Sequence, residues 1–134
     1  MPTDTVSTEL RTYRLVHKAR PWTANGERRL HPMARAALVR EWRTAFWILA
    51  KETHVPPMDR IAITAMPVQR NQASRPDVGA CYGAVKAAID GLVDAGVVPN
   101  DTPDHVIEIR FTAPAIGSAD QLVLVIQEVA GWEL

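Results

Sequence analysis

Residues Arg75 to Val106 read R-P-D-V-G-A-C-Y-G-A-V-K-A-A-I-D-G-L-V-D-A-G-V-V-P-N-D-T-P-D-H-V. Val85, Ala88, Ile89, Leu92 and Val93, with Cys81 one turn earlier, fall on one side of a 3.6-residue repeat. That spacing predicts an amphipathic helix over Val78–Ala95, stopped by Gly96. Lys86, Asp90 and Asp94 share its opposite side. Asp77 stands just before the helix, where an aspartate caps free backbone N–H groups. Asp101 and Asp104 lie in the turn that follows it, Pro99–Asp104. The helix therefore has carboxylates at both mouths.

Strand patterns flank this helix on both sides. Downstream, Val106–Phe111 alternates, with Ile107, Ile109 and Phe111 inward and Glu108 and Arg110 outward. After a Pro/Gly turn at Ala113–Asp120, Gln121–Val129 is a near-continuous apolar run, expected to be a central strand. Upstream, Arg60–Met66 places Ile61, Ile63 and Ala65 on one face, and the polar loop Pro67–Pro76 leads to Asp77. Pro32 suits a first helical position, and Leu38, Trp42, Ala45, Phe46 and Leu49 form one stripe of a helix running to about Glu52, ahead of Pro56-Pro57. Thr8–Lys18 has the composition of an edge strand, and Ala19–His31, punctuated by Pro21 and Asn25-Gly26, reads as a loop. The expected fold class is α/β (α+β): one small domain over residues 1–134, with a mixed sheet of about four strands and two main helices. The first seven residues are expected to be flexible.

The length suffices for a core without metals or disulfides. One cysteine excludes an intrachain disulfide framework and fits a reducing compartment. No run of about 18 apolar residues occurs, and the first residues lack a basic start followed by an apolar stretch. A cytoplasmic protein without a membrane partner is expected. Net charge is zero but unevenly placed: Met1–Arg70 holds 12 Lys/Arg against 6 Asp/Glu, and Asn71–Leu134 holds 3 against 9. Such asymmetry suits nucleic-acid contact by the basic half, or neutralisation of one half by the other across a shared core.

The basic residues cluster in two places. Lys18, Arg20, Arg28 and Arg29 crowd the expected loop before the first helix. On that helix, Arg40, Arg43, Trp47 and Lys51 make a second stripe, whose three cations over about 16 Å could follow a phosphate backbone. Trp47 would also suit a dimer contact. Chemistry requiring a Gly-rich phosphate loop or a nucleotide cofactor is excluded, because the glycines are dispersed. Ser7, Ser74 and Ser118 lack a nucleophile-elbow context, and His17, His31, His54 and His105 stand singly rather than at metal-ligand spacing. The aspartates remain. Each has an ordinary role: Asp77 as a cap, Asp90 as the i,i+4 partner of Lys86, Asp101 and Asp104 as turn residues. Together they could hold Mg2+, which takes a few carboxylates and completes its shell with substrate phosphates.

The run K-A-A-I-D-G-L-V-D-A-G-V-V-P-N-D-T-P-D-H-V resembles the signature of the RusA family of Holliday-junction resolvases, which reads D-x-D-N, a lysine, D-x-L…G and a D-D pair before a strand. The segment P-W-T-A-N-G-E-R-R-L-H, leading into an Arg-rich helix, is similar to actinobacterial and phage members. The resemblance extends from about Pro21 to Phe111. It implies a homodimeric, Mg2+-dependent endonuclease that nicks branched DNA, four-way junctions above all, in recombination and repair. By position, Asp77 corresponds to an aspartate of D-x-D-N, Lys86 to the lysine, Asp90 to the helix aspartate and Asp101 to the second of the D-D pair. Gly79, Ala80 and Asn100 depart from the pattern, so one carboxylate of each pair is kept. The resemblance then implies Asp77, Lys86 and Asp101 as catalytic residues, with Asp77, Asp101, Asp90 and Asp104 as metal ligands. Arg28, Arg29, Arg40, Arg43, Arg70 and Arg75 would position the DNA. The alternatives are a branched-DNA-binding protein that keeps the fold without cleavage, and a small protein-interaction module.

Overall fold

The structure, a computed structural model, describes residues 10–130. The expected flexible first residues, and Thr8 and Glu9 of the first expected strand, lie outside that range. One mixed sheet contains β1 (Thr12–His17), β2 (Ile61–Gln69), β3 (Val106–Phe111), β4 (Ala115–Ile116) and β5 (Gln121–Glu128). The helices are α1 (Ala24–Arg28), α2 (Pro32–Glu52) and α3 (Tyr82–Asp94). Strand order is β1-β5-β2-β3, with β4 beside the far end of β2. The fold is α+β, as expected, with one short helix and one short strand more than the sequence suggested.

β5 runs antiparallel to both neighbours, so this apolar strand is internal, and β1 is an edge. β3 and β4 run parallel to β2, which requires the long crossover that α3 and its flanking loops supply. Register sets the faces. Leu15, Leu124, Ala65 and Phe111 stand opposite one another across four strands, and Tyr13, Ile126, Ile63 and Ile109 form the next row. This face joins Trp42, Phe46, Val85, Ile89 and Leu92 of the helices in one core. The other face carries Val16, Val123, Val125, Thr64 and Met66, with Arg14, Glu108 and Arg110 exposed at its margins.

α2 matches the expected span. Pro32 opens it, His31 Nδ1 accepts from the Met33 N–H at 3.1 Å, and Trp42, Phe46 and Ala50 are buried. α2 and α3 approach unusually closely at Gly91, where a Cβ would lie 2.3 Å from the Arg43 carbonyl oxygen and 3.0 Å from the Trp47 nitrogen. Only a residue without a side chain permits that spacing.

Two boundaries differ from the sequence reading. β2 continues through Pro67 to Gln69 rather than stopping at Met66. The Ile61 N–H donates to the His105 carbonyl, while the Ala65 and Gln69 carbonyls accept from Thr112 and Gly117. Odd positions of β2 therefore address the β3–β4 side. Pro67 faces that side after β3 has ended and before β4 begins, so its missing N–H costs no ladder bond. The expected loop Ala19–His31 contains α1, capped by Thr23, whose Oγ1 accepts from the Gly26 N–H at 3.2 Å. Among the described residues, no helix is long and apolar enough to cross a membrane.

Candidate active site

The loop before α3 decides where Asp77 goes. Gly79 adopts φ 82°, a left-handed conformation that L side chains disfavour, and turns the chain before the helix can start. α3 begins at Tyr82, with Cys81 at the N-cap position and no side-chain cap bond. The expected helix start at Val78, and with it the capping role of Asp77, is therefore corrected. Asp77 instead lines an open cleft of about 500 Å³ with Thr23, Asn25, Arg28 and Arg75. Ala24 N–H donates to the Ala80 carbonyl at 2.9 Å, which ties α1 to this loop and brings Arg28 to the cleft. Arg75 is partly committed, since its Nη1 donates to the Pro114 carbonyl at 3.1 Å.

One turn into α3, the picture is different. Lys86 Nζ donates to Asp101 and lies 3.6 Å from Asp90 Oδ1. The i,i+4 pairing on α3 was legible from spacing; the link to Asp101 crosses 15 residues. Asn100 explains how Asp101 is aimed. Its Oδ1 accepts from the Thr102 N–H at 3.0 Å and the Thr102 hydroxyl at 2.5 Å, fixing the turn. Where the resemblance implies an aspartate, this chain has a turn-builder. Asp101 is held below the ordinary carboxylate range by the hydrogen bond from Lys86. Lys86 is raised by its bond to Asp101, against burial and with help from Asp90. The side chains of Lys86 and Asp101 remain 40 % and 36 % exposed, so the pair contributes no more than about 1 kcal/mol to stability. Its interest is chemical.

The expected ligand set divides accordingly. Asp90 and Asp101 converge on one ammonium, whereas Asp77 lines the neighbouring cleft and makes no hydrogen bond or ion pair with them among the described residues. Asp104 is exposed in the turn before β3 and makes no ion pair with Lys86 among the described residues. No set of three or more His, Cys, Asp or Glu side chains converges as a metal-binding group among the described residues. Two carboxylates do satisfy the small protein share that magnesium takes when phosphate oxygens and waters supply the rest. Asp90 and Asp101 are the residues that could hold such an ion, where Lys86 now supplies the positive charge.

Of the expected DNA-facing arginines, Arg28, Arg29 and Arg40 are exposed, and Arg70 is exposed with its backbone N–H bonded to Asp120 Oδ1 at 3.0 Å. Arg43, expected to position DNA, is also a link between the helices. Its Nε and Nη2 donate to the two oxygens of Asp94 at 2.5 and 2.8 Å, joining α2 to α3. This bond raises Arg43 and depresses Asp94. Asp90 also acts on Arg43 through space, so the acidic side of α3 faces both Lys86 and Arg43. Trp47 is exposed as expected, beside the equally exposed Ile48.

Sequence reasoning missed a groove beside Lys86. Tyr82, Gly83, Lys86, Ala87 and Asp90 form one wall, and Glu27, Arg35 and Val39 the other. Glu27 accepts from Trp22 Nε1 at 2.9 Å and lies 3.7 Å from Arg35. Gly83 lets this latch close onto α3: a Cβ there would stand 2.7 Å from Glu27 Oε1 and 2.9 Å from Trp22 Nε1. A five-residue helix shows no periodicity, and Gly83 was the available signal. No family model matches the chain, and no curated protein matches it.

Proposed function

We propose that this chain is a Mg2+-dependent, structure-selective endonuclease that nicks branched DNA as a homodimer in the cytoplasm. The convergence of Asp90 and Asp101 on Lys86 is the observation that carries the reading. It unites the lysine, the helix aspartate and the turn aspartate of the RusA-like pattern. A magnesium ion held by Asp90 and Asp101 would supply an activated water and offset charge at the phosphorus. Lys86, freed from Asp101, contacts a non-bridging oxygen of the scissile phosphate. Arg28 and Arg75, in the adjoining cleft, hold the backbone of the same strand. Asp77 takes no part in metal binding in this reading.

A second reading, binding of four-way junctions without cleavage, is favoured by a specific observation. Lys86 already neutralises the two carboxylates, and Asp77 stands in a different cleft. Incubation of a synthetic four-way junction with and without Mg2+ separates the two. Metal-dependent nicking, lost in Asp101→Asn, supports the nuclease. Tight junction binding with no nicking supports the second reading. Equal affinity for junction and for a neutral polymer at moderate salt would remove both.

A further inference from the structure

His17 lies at the end of the edge strand β1, on the sheet face that receives α2. Its ring meets Trp42 edge-on, with centroids 4.6 Å apart and planes at 88°, and approaches Phe46 at 5.8 Å and 70°. Its Nε2 is shut off from solvent and has no hydrogen-bond partner among the described residues. A polar atom so placed is tolerable in a neutral imidazole, whose N–H can rest against an aromatic face. It is costly in an imidazolium, which must bury a charge. The groups around it offer little relief. β5 presents Leu122 directly opposite, and α2 presents Trp42, Phe46 and one charged residue, Glu41, which is exposed. Trp42 in turn packs edge-on against Trp22 at 5.6 Å, and Trp22 donates to Glu27. The histidine therefore sits at the root of an aromatic chain, His17–Trp42–Trp22, that ends at the α1 latch.

We propose that His17 is a proton-sensitive clamp: neutral, it seats β1 against α2, and protonation releases that seat and loosens the Trp22–Glu27 latch. Burial lowers the histidine's proton affinity, and Glu41 opposes this only in part. A group whose folded pKa is depressed in this way favours the fold above its unfolded value, and the benefit is lost as pH falls below about 6.5. Were His17 to stay wholly neutral in the fold, the unfolding equilibrium would rise by about 30-fold between about pH 7.5 and pH 5 from this residue alone.

The test is urea denaturation of the full chain across that range, for wild type, His17→Phe and His17→Leu, with the His17 titration followed by NMR in the wild type. The clamp predicts a His17 midpoint below that of an exposed histidine, lowered further in Glu41→Gln. It also predicts an acid-induced rise in unfolding at least about fivefold steeper in wild type than in either variant. A His17 midpoint no lower than that of an exposed histidine, or superimposable pH profiles, would overturn it. If both variants fail to fold, the wild-type titration alone decides.

Discussion

Replacing Gly91 with alanine tests the close approach of α2 and α3. The new Cβ would lie 2.3 Å from the Arg43 carbonyl oxygen, at least 0.7 Å inside the 3.0 Å limit that real Cβ atoms respect. The obstacle is backbone, so no side-chain rotation relieves it; α2 and α3 must separate. Overpacking of this kind costs about 1–3 kcal/mol. Alanine returns about 1 kcal/mol through helix propensity. Because the clash is with a helix backbone, the upper part of the range applies, and a net loss of about 2 kcal/mol is expected. With a urea slope of about 2 kcal/mol per molar, the midpoint should fall by about 1 M. Gly83→Ala is the matched control. Its Cβ would meet side chains rather than backbone, Glu27 Oε1 at 2.7 Å and the Trp22 indole at 2.9 Å, so a smaller loss than in Gly91→Ala is expected. A Gly91→Ala protein as stable as wild type would refute the interhelical geometry described here.

Further outcomes bear on the site and on charge. Lys86→Met should change stability by less than about 1 kcal/mol yet reduce Mg2+-dependent junction nicking by at least about 100-fold, measured by gel in single turnover. Arg43→Ala should lower the urea midpoint by the equivalent of about 0.5 kcal/mol and leave junction affinity unchanged, because Arg43 is spent on Asp94. Glu128 is held down to about 2 by hydrogen bonds from the Arg11 side chain and N–H, and Asp94 and Asp101 are also depressed. Depressed carboxylates stabilise the fold above their unfolded values near about 4 and lose that contribution as pH falls through their folded values. The acid limb should therefore begin below about pH 4 and steepen towards about pH 2, and Arg11→Ala should move the Glu128 titration, read by NMR, back towards its ordinary value.

The parts of the fold that were legible in sequence are those with long periodic stripes. Trp42 and Phe46 on α2, and Ile89 and Leu92 on α3, appear in the core where a helical repeat places them. The continuous apolar run Leu122–Ile126 read as internal because both of its neighbours must be strands. Single-residue effects were not legible. Proline normally ends a strand, and only the positions of β3 and β4 show why Pro67 does not. The left-handed turn at Gly79 moves the start of α3 and detaches Asp77 from the site that its proximity suggested. Asp90 lay one turn from Lys86, so their pairing followed from spacing. Arg43 and Asp94 are 51 residues apart, and nothing in either segment marks them as partners.

The interruption at Pro67 has a consequence for how the sheet meets its loops. On one side, β2 is zipped to β5 along its length; on the other, its parallel partners leave it for the stretch between Phe111 and Ala115. Pro67, Gln69 and Pro114 border that opening, and Cys81 and Asp77 reach it from the loop before α3. Here a residue that cannot donate a hydrogen bond sits where no neighbouring strand is needed to satisfy it. The sheet thus parts from its parallel neighbours for one short stretch without leaving a backbone donor stranded.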